Sequence, residues 1–319
     1  MILDFLEGPL DGDSWERLCN SCYRMKYQDE HYTEIPAIHG GDAGIEGFTQ
    51  TGKVYQCYCP EREYSDDELH EHLRDKMTKD IGKLASITYA KRLKDLGVPV
   101  IKEWHFVIPF YKDSRIIQHA EAKRQEVLGK KRKNIDQYNY IANDFIIVIK
   151  QAEDFRIEIT RIIRKTLTDT KLNLAVLHTG DPDWQKCDSE KVNNIKRKVK
   201  AVMGNIEEEE DDDFKSVVNM YVESYINGLE ILRMLRISYT EVYEDIFMLE
   251  QAYKKQVSLR TKMNTDSSIN VKLFNEILAD FEDKLKDEFK YFNLASILEL
   301  KMDLVSGWLA DCSMQFKSR

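Results

Sequence analysis

The sequence predicts an α/β N-terminal domain followed by a mainly helical C-terminal domain. Three observations predict it. Helix-period and strand-period segments alternate up to about residue 130, seven acidic residues in succession interrupt the chain at 207–213, and the stretch beyond carries regularly spaced apolar residues with almost no breaker. With 319 residues, of which 42% are hydrophobic and 32% charged, the chain can bury two cores and is too apolar for extended disorder.

Taken in order, residues 13–25 read as a helix, because Trp15, Leu18, Cys19, Cys22 and Met25 recur on one face and Asp13 can cap it. Extended segments follow at 32–38, 45–49 and 54–59, and Gln50-Thr51-Gly52-Lys53 joins the last two as a hairpin. Residues 66–96 return to helical spacing through Leu69, Leu73, Met77, Ile81 and Leu84. Gly97-Val98-Pro99 then turns into the buried strand Trp104-His105-Phe106-Val107-Ile108, which Pro109 ends.

A helix over 114–128 leads to an exposed basic turn or linker at 130–134, a second helix over 143–167 and a short strand over 172–177. These readings divide the chain into a first domain over 1–130, a middle segment over 131–206 that either completes it or stands alone, an acidic linker over 207–213, and a helical interaction domain over 214–319. In that last domain, Leu229, Leu232, Leu235, Ile246, Leu249, Leu285, Leu298 and Leu309 exceed what one helical hairpin buries, which predicts self-association or docking to a protein partner.

Several classes are excluded. The opening residues 1–7 have neither a basic start nor an apolar run, and no stretch reaches the roughly 18 apolar residues of a membrane span, so a cytoplasmic protein without membrane attachment is expected. The six cysteines are scattered and read as reduced thiols. A formal net charge of -9 disfavours polyanion binding over the whole surface. Two basic concentrations, Lys123, Arg124, Lys130, Lys131, Arg132 and Lys133 in one and Lys191, Lys196, Arg197, Lys198 and Lys200 in the other, are either phosphate contacts or solvated faces. No Gly-Lys-Ser/Thr phosphate loop is present, so an ATPase activity would belong to a separate subunit.

Chemistry concentrates between Ile38 and Tyr58. Period two sets Glu46 and Phe48 on one strand face and Val54, Gln56 and Tyr58 on one face of the next, so that, with Glu16 projecting from the preceding helix toward the same edge, carboxylates and an amide oxygen can hold a divalent cation. The bland readings are a capping box of Asp13 with Glu16, an ordinary glycine turn around Asp42, a core Gln56 and a structural Tyr58. Cys19, Cys22, Cys57 and Cys59 are either buried thiols or zinc ligands, the first being simpler.

The run Trp15-Glu16-Arg17-Leu18, then Gly41-Asp42-Ala43-Gly44-Ile45-Glu46-Gly47, then Gln56-Cys57-Tyr58 resembles the PD-(D/E)xK restriction-endonuclease-like superfamily, most closely its Mrr-like branch. The sequence departs from that pattern in having Glu46 where the family has Asp and Tyr58 where it has the catalytic Lys; Lys53 or Arg62 would have to replace that charge. The resemblance implies a restriction-endonuclease-like fold with a mixed central sheet and a DNA nuclease, or nuclease component, of prokaryotic antiphage defence. It further implies Mg²⁺ or Mn²⁺, Glu16, Asp42, Glu46, Gln56 and Tyr58 as site residues, and a neighbouring ATPase subunit. The other function class is a catalytically inactive nuclease-fold adaptor that binds nucleic acid or a protein partner.

Overall fold

The strand-period and helix-period segments of the N-terminal half fold into one mixed sheet with helices on both faces, in a computed structural model that describes residues 2–8, 10–36, 44–165, 169–177, 188–204, 211–311 and 313–317. The chain divides into two compact units, Met1–Leu3 with Gly8–Ile162 and Asp4–Glu7 with Ile163–Arg319. The middle segment 131–206 is thereby shared between them.

Strand β1 (Leu6–Glu7) belongs to the second unit; the first begins with α1 (Gly12–Lys26). Asp11, not Asp13, caps this helix. Its carboxylate accepts the Ser14 N–H at 2.8 Å while Ser14 Oγ accepts the Asp11 N–H at 2.8 Å, so the box pairs Asp11 with Ser14 and Glu16 takes no part in it. Strands β2 (Thr33–Glu34), β3 (Gly47–Phe48) and β4 (Lys53–Cys57) pair antiparallel. After α2 (Asp66–Leu84) and α3 (Ile87–Asp95), β5 (Ile101–Ile108) lies parallel to β4; after α4 (Arg115–Lys133), β6 (Ile141–Gln151) lies parallel to β5. The helix read over 66–96 is two, parted at Ala85 and Ser86.

Alternation along β4 and β5 feeds two cores. Val54, Trp104, Phe106 and Ile108 pack against Leu69, Leu73 and Met77 of α2 and Ile116 and Val127 of α4. On the other face Tyr55 stacks on Tyr23 of α1 with ring centroids 3.9 Å apart, and Trp15 Nε1 donates to the Val107 carbonyl at 3.3 Å.

Two expectations for the middle of the chain are corrected. The basic residues 130–133 are the last turn of α4, where cations meet the negative end of the helix dipole, so they form no linker. Residues 143–167 are not one helix but most of β6 followed by α5 (Arg156–Arg164). An apolar run such as Phe145-Ile146-Ile147-Val148-Ile149 has no period that separates helix from strand, and pairing with β5 decides it.

In the second unit β1 pairs with β7 (Lys171–Leu172), followed by α6 (Ser189–Met203), α7 (Asp212–Ser238), α8 (Thr240–Met263), α9 (Asn270–Glu288) and α10 (Leu294–Ala310). Helix α10 packs on α6, α7 and α9, and its Trp308 meets Phe281 at 4.6 Å between ring centroids. Leu235, Ile246, Leu285 and Leu309 are buried, while Leu229 and Leu298 stay exposed. Asp211 caps α7 by accepting the Phe214 N–H at 2.8 Å, so the end of the acidic run starts a helix, where its charges oppose the positive dipole end. No helix among the described residues is long and apolar enough to cross a membrane.

Candidate metal centre

The end of β4 is where the sheet gathers polar groups. Glu46, just before β3, is pinned on both sides of its backbone: its N–H donates to the Tyr55 carbonyl at 2.7 Å and its carbonyl accepts the Ile35 N–H at 2.8 Å. Gly44 makes the approach possible. It has φ +81°, and a Cβ there would collide with the Asp80 carbonyl, so only glycine fits. Trp104 Nε1 donates to the Gly44 carbonyl at 3.1 Å and fixes the turn on the sheet.

From this scaffold the Glu46 carboxylate accepts a hydrogen bond from Gln56 Nε2. Glu46 is 7% exposed and Gln56 2%. Glu16 from α1 and Cys57 at the end of β4 complete the group: one ligand atom each from Glu16, Glu46 and Cys57 lies within 4.8 Å of the others. Gln56 Oε1 is buried with no hydrogen-bond partner. Two carboxylates and a thiol with this spacing are a chemically suitable ligand set for a cation, and the unmatched Gln56 Oε1 beside Glu46 is the kind of buried acceptor that is costly to leave unsatisfied. Ligands about 2.0–2.3 Å from one ion stand no more than about 4.5 Å apart across it, so the spacing is close to what one divalent cation needs.

Of the residues selected from the sequence, Glu16 and Glu46 lie together with Cys57, which that selection did not include, and Gln56 is bonded to Glu46. Asp42 lies outside the described residues. Tyr58 follows Cys57 and packs, half-buried, with Tyr64 against the core formed by α2 and α4. Burial pushes its phenol up from its ordinary pKa, so it keeps its proton. The Lys76 ammonium lies 6.0 Å from the Tyr58 ring centroid and pairs with buried Asp80 at 2.8 Å. Neither cation proposed from the sequence is its counterpart there: Lys53 pairs with Glu30 at 2.6 Å, and the Arg62 guanidinium lies 5.1 Å from the Tyr64 ring centroid.

The four clustered cysteines are buried free thiols. Desolvation, then a hydrogen bond with Cys57, holds the Cys19 thiol well above its usual range. Among the described residues only Cys57 joins a potential ligand group, so a four-cysteine zinc site is not what brings them inside. His105 is a core histidine, bonded to Tyr23 Oη at 2.8 Å and Glu103 at 2.9 Å; burial lowers its pKa, partly offset by Glu103.

The two basic concentrations are largely spoken for. Lys131 is buried and donates to the Tyr138 and Ile141 carbonyls, and Lys198 is buried and donates to those of Trp308, Leu309 and Asp311. Lys123 and Lys130 pair with Glu126 at 3.0 and 3.2 Å, Arg124 with Glu121 at 2.7 Å and Lys191 with Asp311 at 3.0 Å. Of the two readings open from the sequence, phosphate contacts or solvated faces, these pairings weaken the first, because carboxylates within α4 itself and the groups at the end of α10 offset much of the positive charge. In comparisons with family models, curated proteins and solved structures, nothing matches the chain.

Proposed function

We propose that the first unit is a divergent metal-dependent DNA nuclease domain, or the nuclease component of a prokaryotic defence complex. The observation that carries this reading is the gathering of Glu16, Glu46 and Cys57, with the spare Gln56 Oε1, at the end of a central strand of a mixed sheet. The resemblance of the surrounding residues to the restriction-endonuclease-like pattern supports it. A divalent cation, Mg²⁺ or Mn²⁺ in that pattern, supplies charge stabilisation and an activated water for phosphodiester hydrolysis.

The chain's own residues have separate tasks in this reading. Glu16 and Glu46 hold the cation, with Asp42 as a further ligand from the sequence pattern, and Gln56 orients Glu46 through Nε2 while offering Oε1. Tyr58 donates a hydrogen bond but supplies no positive charge. The Lys76 ammonium beside its ring is held by buried Asp80, as Lys53 is by Glu30, so no described cation stands in for the family's lysine at Tyr58. Exposed Leu229 and Ile237 on α7 and Phe247 and Met248 on α8 support a docking role for the helical unit, toward a protein partner such as an ATPase subunit.

Plasmid DNA incubated with the full chain, any neighbouring subunit and Mn²⁺ or Mg²⁺ should be nicked. Glu46→Gln should abolish nicking by removing a carboxylate from the metal ligand set. A nuclease-fold adaptor is the second reading, favoured by Tyr58 at the lysine position and by the paired state of the basic residues. DNA or partner binding that is indifferent to metal, with no cleavage under any partner condition, would select it.

A further inference from the structure

We propose that Cys57 is a direct ligand of the cation, so that the centre selects a thiophilic divalent transition metal (Co²⁺ or Zn²⁺) over Mg²⁺. The inference rests on the metal-centre reading above and adds to it the class of ion. The sequence pattern implied an all-oxygen set of Asp42, Glu46 and Gln56. The described geometry substitutes a sulfur: the Cys57 ligand atom lies within 4.8 Å of carboxylate oxygens from both Glu16 and Glu46.

Cys57 has little freedom to leave that position. It is the last residue of β4, it pairs in register with Val107 of β5, and it is 7% exposed. The second observation is Gln56 Oε1, buried and without a hydrogen-bond partner, on an amide whose nitrogen is already bonded to Glu46. An amide fixed on the Glu46 carboxylate with its acceptor oxygen unused marks a buried polar group at this place that the protein itself does not satisfy, beside the set of two carboxylates and a thiol.

Donor softness decides between ions. Mg²⁺ demands near-octahedral oxygen coordination and gives up water reluctantly, so a sulfur at a fixed place in its shell is a mismatch. Thiolate ligands favour zinc and other softer metals, and a set of two carboxylates and a thiolate leaves one position of a tetrahedral ion open. On binding, the Cys57 thiol proton goes to solvent and the thiolate takes its place on the metal.

The test is optical and calorimetric, with no need of turnover. The full-length protein, reduced and metal-free, is titrated with Co²⁺ and, separately, with Zn²⁺, Mn²⁺ and Mg²⁺. Wild type should develop a thiolate-to-cobalt charge-transfer band and bind Co²⁺ and Zn²⁺ more tightly than Mg²⁺. The band should persist in Cys19→Ala and vanish in Cys57→Ser and Cys57→Ala. Loss of an outer partner alone costs about 10–100-fold in affinity, so loss of this ligand should cost Co²⁺ at least about 100-fold and leave Mg²⁺ little changed.

Circular dichroism on each variant separates lost ligation from lost folding, and the wild-type band stands as evidence even if a variant fails to fold. Co²⁺ binding that needs Glu46 but shows no thiolate band overturns the Cys57 proposal while leaving the nuclease reading intact. A band that survives in Cys57→Ser also overturns it. No binding of any of the four ions to wild type overturns both.

Discussion

In the helical unit a buried charge ends on the main chain, whereas at the end of β4 buried polar groups end on one another. Lys198, 1% exposed, donates to three carbonyls at the end of α10, and Asn270 Nδ2 donates to the Ala201 and Lys317 carbonyls at 2.8 and 2.9 Å. Such groups complete the backbone's own hydrogen bonding and stabilise the fold. At the end of β4, Gln56 Nε2 instead donates to Glu46, Gln56 Oε1 is left unmatched, and ligand atoms of Glu16 and Cys57 lie within 4.8 Å of one on Glu46, an arrangement that a cation would stabilise. The difference separates polar burial that serves folding from polar burial that serves a ligand.

The largest effect should come from Lys198→Met. It leaves three carbonyls at the end of α10 without their donor, and with charge-assisted bonds worth about 1.5–3 kcal/mol each the loss should reach roughly 3 kcal/mol or more in denaturant unfolding. A loss below about 1 kcal/mol would break the comparison, because the lysine would then be no more structural than the acidic cluster.

Asp303 sharpens it, as the buried group of the helical unit that resembles the site. It is 5% exposed, its Oδ2 has no hydrogen-bond partner, and desolvation, then Glu299, raises its pKa to about 8. With the folded value above the ordinary 3.8, stability is greatest at low pH and falls as pH rises toward about 8. Asp303→Asn removes that loss. Its advantage over wild type should widen by up to about 1.4 kcal/mol per pH unit between pH 4 and 8, with a total near 2 kcal/mol after discounting for relaxation. Parallel unfolding profiles for the two proteins would show that Asp303 is better solvated than its burial indicates.

Gly228→Ala probes the same contact by volume. A Cβ at 228 would lie 2.8 Å from Asp303 Cβ, where α7 and α10 approach, and overpacking there should cost about 1–3 kcal/mol. The smallest effect is expected at the site itself. Glu46→Gln keeps the side chain's size and an acceptor oxygen for Gln56 Nε2, and should change the stability of the metal-free protein by no more than about 1 kcal/mol while removing metal-induced stabilisation. A loss of several kcal/mol in the metal-free state would place Glu46 with Lys198, among groups that serve the fold.

Much of this was legible along the chain. Helical spacing from Trp15 to Met25, the hairpin with its turn at Gln50 to Lys53, and the breaker-poor helices after residue 211 follow from local periodicity, which records which side of an element is apolar. The pairing of Gln56 with Glu46 was also readable, because strand period and turn length bring them together. Sequence by itself determined these elements and the neighbourhood of the site. Tertiary structure decided the rest: that 141–151 is a strand beside β5, that Cys57 stands with Glu16 and Glu46, and that Lys131 and Lys198 turn inward to carbonyls. Each depends on a partner remote in sequence, and periodicity encodes the face a residue takes without encoding what will meet it there.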